Sequence, residues 1–383
     1  MSQSARSSRP SKTNRADRPN GRYGLSTRQS LSAPLTNRDG TALRAELVEA
    51  HSGGVDAVRW GEAVRRWRDY IRESRETSMV FEHAEGDRVK GGSPNRFDPE
   101  YADKQYAKLK DLERGLRENW GKLLHTAMLT FTASSTTAEG EPAPPVDHLE
   151  DLTGTWEAVR RELNRVLKGR AWEYLWILEP HKSGYLHRHL AVFVKGPVDR
   201  GEFAPVIEAH IRNCDRAGWD AHDVEDDSTI SVKHVGADRN QEEIGNLGTY
   251  LAEYLGTYGE DALEAPEHQQ LANALLWGTG KRRWQPSQPD YVECESCGRR
   301  RHPSGTGVCP ADGCECEETV KPPNWSRGAQ SYMSTNRGGG EVSAWELVGV
   351  EDGDGEFYEI PMGGGQVLMM ETATDRGLGP PPD

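Results

Sequence analysis

Hydrophobic and polar positions change period several times along the chain. Val58, Ala63, Trp67, Tyr70 and Ile71 recur at helical spacing, so residues 55–78 predict an amphipathic helix. Residues 78–98, rich in Gly, Asp, Arg and Ser, read as a loop. Residues 99–120 predict a second helix that starts on a proline, where the missing N–H is no loss. Residues 123–133 alternate and carry β-branched side chains, which predicts a strand. After a Pro- and Ser-rich loop, Leu149, Leu152, Trp156, Val159, Leu163 and Val166 form one apolar stripe on a helix over 147–167. Residues 172–178 predict a buried strand, 186–194 another strand, 202–217 a helix and 229–235 a strand. Helices follow at 241–258 and 267–276. Strands, a hairpin and interleaved helices in this order predict an α+β fold, one antiparallel β-sheet with helices on one face.

On either side of this central region, 123–288, the pattern weakens. Residues 1–45 hold Ser, Arg, Pro, Asn and Gly without periodicity and read as a disordered basic arm; 46–122 form an N-terminal helical region. Residues 289–321 are cysteine-rich. Residues 322–383 contain an alternating pair of segments around Asp352-Gly-Asp-Gly355, a β-hairpin signal, and then a disordered tail.

The stretch Leu186–Val194 also carries candidate chemistry. Residues two apart on a strand share a face, so His187 and His189 project together, followed by Ala191 and Phe193. Arg188, Leu190, Val192 and Val194 take the other face. Two adjacent imidazoles make a bidentate metal platform, and Glu179, leading a turn-like segment, can fold back as a third ligand. Two nitrogens and one oxygen suit Mg²⁺ or Mn²⁺. The plain alternative is a half-solvated strand face. On the helix over 241–258, Tyr250 and Tyr254 lie four apart and present two phenols on one stripe, with Tyr258 a turn further. A phenol is a poor nucleophile at neutral pH, and a metal-polarised phosphorus centre changes that. Core packing is the competing account, though Leu247, Leu251 and Leu255 already supply an apolar stripe.

Together these pieces resemble the HUH endonucleases, and within them the rolling-circle replication initiators (Rep proteins) of plasmids and viruses. Met128-Leu-Thr-Phe-Thr132 looks like the first motif. Glu179-Pro-His-Lys-Ser-Gly-Tyr-Leu-His187-Arg-His189 is similar to the metal motif with its upstream acid, and Tyr250-Leu-Ala-Glu-Tyr254 to the two-tyrosine motif. Arg188 departs from the hydrophobic residue between the histidines; Glu253 and Thr257 stand where lysines are frequent. The resemblance implies an HUH endonuclease domain over 123–288 and a divalent ion on Glu179, His187 and His189. Tyr254 would attack single-stranded origin DNA to give a 5′-phosphotyrosine, and Tyr250 would carry the second transfer. The partners implied are origin DNA and host helicase and polymerase, since no Gly-x-x-x-x-Gly-Lys-Ser/Thr loop is present. An HUH transposase or relaxase would use the same site. A non-catalytic DNA-binding regulator is the reading from another class.

Two further signals complete the picture. Lys281, Arg282 and Arg283 beside Trp284 offer charge for phosphate and a π-face for a base. Cys294, Cys297, Cys309 and Cys314 have the spacing of a zinc ribbon, with Cys316 a close rival of Cys314. Composition narrows the setting. The net charge is −14, with 61 Asp and Glu against 47 Lys and Arg. Of those cations only 12 are lysines, the profile of a protein kept soluble by carboxylates in concentrated salt. A high-GC genome also favours arginine. No apolar run approaches the roughly 18 residues of a membrane span, and the N-terminus has no signal-peptide core, so the cytoplasm is the expected location.

Overall fold

The computed structural model describes residues 25–52, 58–83, 86–93, 95–99, 101–102, 112, 115–117, 119–234, 261–287, 292–293, 300–301 and 345–359. Two antiparallel sheets and several helices make an α+β fold. The helices are α1 (Thr27–Ser32), α2 (Ala45–Ser52), α3 (Trp60–Glu76), α4 (Pro145–Gly154), α5 (Trp156–Val166), α6 (Ala204–Asn213) and α7 (Glu267–Thr279). The larger sheet contains β3 (Leu124–Phe131), β4 (Trp172–Pro180), β5 (Leu186–Lys195), β6 (Ile230–Lys233) and β7 (Trp284–Pro286), in the order β6-β3-β5-β4-β7. The smaller sheet joins β1 (Ser78–His83), β2 (Arg88–Gly92), β10 (Trp345–Glu351) and β11 (Phe357–Glu359), in the order β11-β10-β1-β2.

Strand alternation sorts the large sheet's side chains onto two faces. Ala127, Leu129, Phe131, Trp176, Leu178, Leu190, Val192 and Val194 meet the helices in the main core, with Trp60, Trp67 and Ile71 of α3 and Leu271 and Trp277 of α7. The opposite face has a smaller cluster of Met128, Leu175, Ile177, Ala191 and Phe193 beneath Leu116 and Trp120. Some cover therefore lies on the second face as well. Arg188 obeys the alternation at a cost. Its guanidinium is buried on the core face near Trp156 and Trp176, 5.5 and 5.2 Å from the ring centres. Burial pushes it down to about 10, so it stays charged at neutral pH, and the indole faces offset part of the desolvation.

Several local expectations change. The expected disordered arm over 1–45 is not borne out from residue 25 on, where Ser26 and Gln29 form a capping box that starts α1. The single helix over 147–167 is two, α4 and α5, which meet at Thr155, whose Oγ1 lies 3.0 Å from His210 Nδ1. The loop over 78–98 contains β1 and β2, and β1 pairs Ser78 with Glu351 of β10. That partner is invisible to any local window. The hairpin at Asp352–Gly355 is present, with Asp352 N–H donating to Glu356 O. Helix 241–258, with Tyr250, Tyr254 and Tyr258, lies outside the described residues, as do Cys294, Cys297, Cys309, Cys314 and Cys316. The segment holding Cys294 and Cys297 is closed by strands β8 (Val292–Glu293) and β9 (Arg300–Arg301), paired antiparallel.

Beneath the sheet lie histidines whose spacing announced no role. His210 Nε2–H donates to Thr132 O (2.9 Å) and His148 Nε2–H to Ala133 O (3.1 Å); both residues are fully buried. Burial pushes His148 down to about 4 and His210 to about 3. Both are neutral in the folded chain, whereas unfolding lets them take up protons below about pH 6.5. Their stabilising contribution is complete above that value and is lost as pH falls toward the folded-state values, by at most about 3 kcal/mol for His148 and about 5 kcal/mol for His210. Chemical denaturation should show stability falling by several kcal/mol between pH 7 and pH 5, with a shallower fall in His210→Gln. An equal fall in the variant would remove His210 from the account.

Candidate metal centre

The hairpin of β4 and β5 builds the site. Its turn runs from His181 to Tyr185, with His181 N–H donating to Tyr185 O and Gly184 N–H to His181 O, both 2.8 Å. Gly184 has φ +90°, and a Cβ there would lie 2.7 Å from Leu271 Cβ, so glycine lets the turn press against α7. The register that follows sets Glu179 opposite His187 and Ile177 opposite His189. Glu179 is thus a strand residue and does not fold back from a turn. Cross-strand pairing alone brings it to the histidines.

The three side chains converge. Glu179 Oε2 lies 3.0 Å from His187 Nε2 and 2.6 Å from His189 Nε2, and the two Nε2 atoms are 2.8 Å apart. Among the described residues this is the His, Cys, Asp and Glu group gathered tightly enough to hold a metal ion. His189 Nδ1 sits 3.2 Å from Thr130 Oγ1 of β3. In a metal-bound state Nδ1–H would donate to that hydroxyl and leave the Nε2 lone pair for the ion. Burial alone would push the Glu179 carboxyl up. Hydrogen bonding from His187 and His189 outweighs it and holds the group well below the ordinary range, so it is ionised. Burial pushes His189 down, and the neighbouring His187 adds to this against the pull of Glu179. The three ligand atoms lie within 3.0 Å of one another, close enough for one divalent ion to be held by all three.

The remaining candidates separate. His181 is exposed, its ring 4.3 Å from that of His187. Lys281 and Arg282 are exposed, and Trp284 is half-buried against the smaller apolar cluster. Arg283 is half-buried, with Nη1 donating to Asn273 Oδ1 at 2.9 Å. Thr130 escaped the sequence reading as an individual residue. Its signal was a hydroxyl on an otherwise apolar strand, facing the histidines rather than the core.

Comparison with known proteins bears on what this centre serves. A family model described as "Putative rep protein (DUF1424)" matches residues 35–296, more than half of the chain. The chain belongs to this family. Two relatives carry the name "Uncharacterized 36 kDa protein". One, from Halobacterium salinarum, is 49% identical over 258 residues, covering 66% of this chain and 82% of the relative. The other, from Halobacterium sp. (strain GN101), is 44% identical over 261 residues, covering 65% and 80%. Both sources are Halobacterium, in keeping with the acidic, lysine-poor composition. No solved structure matches the chain. Among the described residues no helix is long and apolar enough to cross a membrane.

Proposed function

We propose that this member of the family is a rolling-circle replication initiator, an HUH-type endonuclease that cuts and rejoins single-stranded origin DNA through tyrosine. The observation that carries the reading is the convergence of Glu179, His187 and His189 on one sheet face in a chain of a Rep-described family. These three residues would hold Mg²⁺ or Mn²⁺, which when bound polarises a non-bridging phosphate oxygen. Thr130 keeps the His189 ring turned so that Nε2 faces the ion. The apolar cluster around Trp120 and Phe193 keeps water from the sheet below.

In this reading the phenol oxygen of Tyr254 forms a bond to phosphorus as the bond to the 3′ oxygen breaks. The phenolic proton ends on the released 3′-hydroxyl, and the DNA 5′ end stays on the protein as a phosphotyrosine. No water enters, so the bond energy is retained and Tyr250 can repeat the exchange to join strands without ATP. Lys281 and Arg282, both exposed, would meet the strand's phosphates. The test incubates the full chain and Mn²⁺ with labelled single-stranded oligonucleotides tiled across the replicon that encodes it. An adduct surviving denaturing electrophoresis is expected. Metal-independent binding with no adduct from any oligonucleotide would leave the DNA-binding regulator.

The reading includes a structural zinc on Cys294, Cys297, Cys309 and Cys314. Elemental analysis of the purified chain should find one zinc per molecule. Its absence would return the cysteines to redox chemistry.

A further inference from the structure

Strand register carries Trp284 onto the face of the metal centre. Trp284 of β7 lies opposite Ile177 of β4, and Ile177 lies opposite His189 of β5. Residues directly opposite in a ladder share a face, so Trp284, Ile177 and His189 form one row across three strands. Two strand spacings separate the main chain of Trp284 from that of His189, about 10 Å in all. Packing agrees with the register: Trp284 rests against the cluster of Leu175, Ile177 and Phe193 on this face. It is half-buried there, so it is not sealed into the cluster.

The residues before it set what it can meet. The Leu178 N–H donates to Arg283 O at 2.7 Å, which extends the ladder one residue beyond Trp284. Arg283 turns to the helix side of the sheet, where its Nη1 donates to Asn273 Oδ1 of α7. Alternation then returns Arg282 to the metal face, in the row of Glu179 and His187. Arg282 is exposed. Residues two apart on a strand stand about 7 Å from each other, a span that a phosphate and the base of one nucleotide can bridge. An indole set on an apolar cluster, with an exposed cation beside it, has the two parts of a single-strand contact: charge for the backbone and a flat surface for a base.

We propose that Trp284 is a base-stacking platform beside the metal centre, seating a nucleobase next to the scissile phosphate so that one phosphate of the strand arrives at Glu179, His187 and His189. The proposal rests on the phosphoryl-transfer reading above. Trp284 touches no reacting atom and forms no covalent bond; it is a positioning residue. Every base has a π-face, so stacking tolerates sequence change while it fixes where along the strand the cut falls. Salt at 1 M screens exposed charges beyond about 3 Å. In the concentrated salt that the acidic composition suits, an aromatic contact holds a strand that screened cations hold poorly.

The test uses the full chain with Trp284→Ala and Trp284→Phe, with thermal unfolding run alongside. The probe is a labelled single-stranded oligonucleotide that gives an adduct or, if none does, the tightest binder of the tiled set. A matching series makes each nucleotide abasic in turn. Binding is read by fluorescence anisotropy without metal. In the wild type, one abasic position should weaken binding about tenfold. Trp284→Ala should bind intact DNA about tenfold more weakly and lose its sensitivity at that position. Trp284→Phe should keep most of both. On an adduct-forming oligonucleotide, Trp284→Ala should also spread attachment from one phosphate to its neighbours. Intact DNA bound by Trp284→Ala as tightly as by wild type, or an abasic penalty undiminished in that variant, overturns the proposal. So does wild-type protein with no sensitive position. Should Trp284→Ala fail to fold, Trp284→Leu decides, because it keeps apolar cover without a ring; wild-type binding and a wild-type abasic profile in it count against stacking. If the wild type forms no adduct while the abasic penalty still vanishes with the indole, the tyrosine reading fails and the stacking site stands.

Discussion

Tyr254→Phe should leave the chain folded and its Mn²⁺ affinity intact, yet yield no covalent protein–DNA adduct. The substitution removes one oxygen, the atom that in the proposed reaction would become bonded to phosphorus. Phenol ionisation near pH 10 makes tyrosine a weak nucleophile in water, so the reaction depends on a site that polarises phosphate and positions the ring. The expected loss is complete within detection, well beyond the 10²- to 10³-fold typical of removing one stabilising hydrogen bond. Tyr250→Phe should still form the first adduct and fail in the second transfer. The measurement is a denaturing gel with labelled single-stranded DNA, followed by mass analysis of the attached peptide. An undiminished adduct in Tyr254→Phe with the label mapped to Tyr250 would exchange the two roles. An adduct on neither residue would end the tyrosine mechanism.

Removing a ligand from the triad is expected to have the other large effect. His189→Ala should lower Mn²⁺ affinity by about 100-fold or more, about 3 kcal/mol at 1.4 kcal/mol per tenfold. His189 Nε2 is the atom nearest the carboxylate, at 2.6 Å, and its ring is turned by Thr130. Glu179→Gln tests charge separately from shape, because the amide fits the same space without the negative charge. It should weaken Mn²⁺ binding while leaving the hairpin, which rests on the β4–β5 register and the Gly184 turn, unchanged. Isothermal titration with Mn²⁺ reads both variants. Affinity equal to wild type in His189→Ala would show that the triad is a proton-linked network and not a metal centre.

Much of this was legible in the residues. Period-two alternation over Leu186–Val194 put His187 and His189 on one face, and the helical stripes of α3 and α5 announced their buried sides. Such patterns are legible because side-chain direction within one element depends on local geometry alone. The tertiary structure decided which elements meet. Glu179 reaches the histidines through strand register, and Thr130 through the pairing of β3 with β5. β1 and β10 pair across more than 250 residues, from a stretch that reads locally as a loop. Hydrogen bonds between distant strands and burial of shared apolar surface select those partners. Neither leaves a periodic trace in the sequence, so the sequence by itself supplied the candidate ligands and the folded chain gathered Glu179, His187 and His189 into one centre.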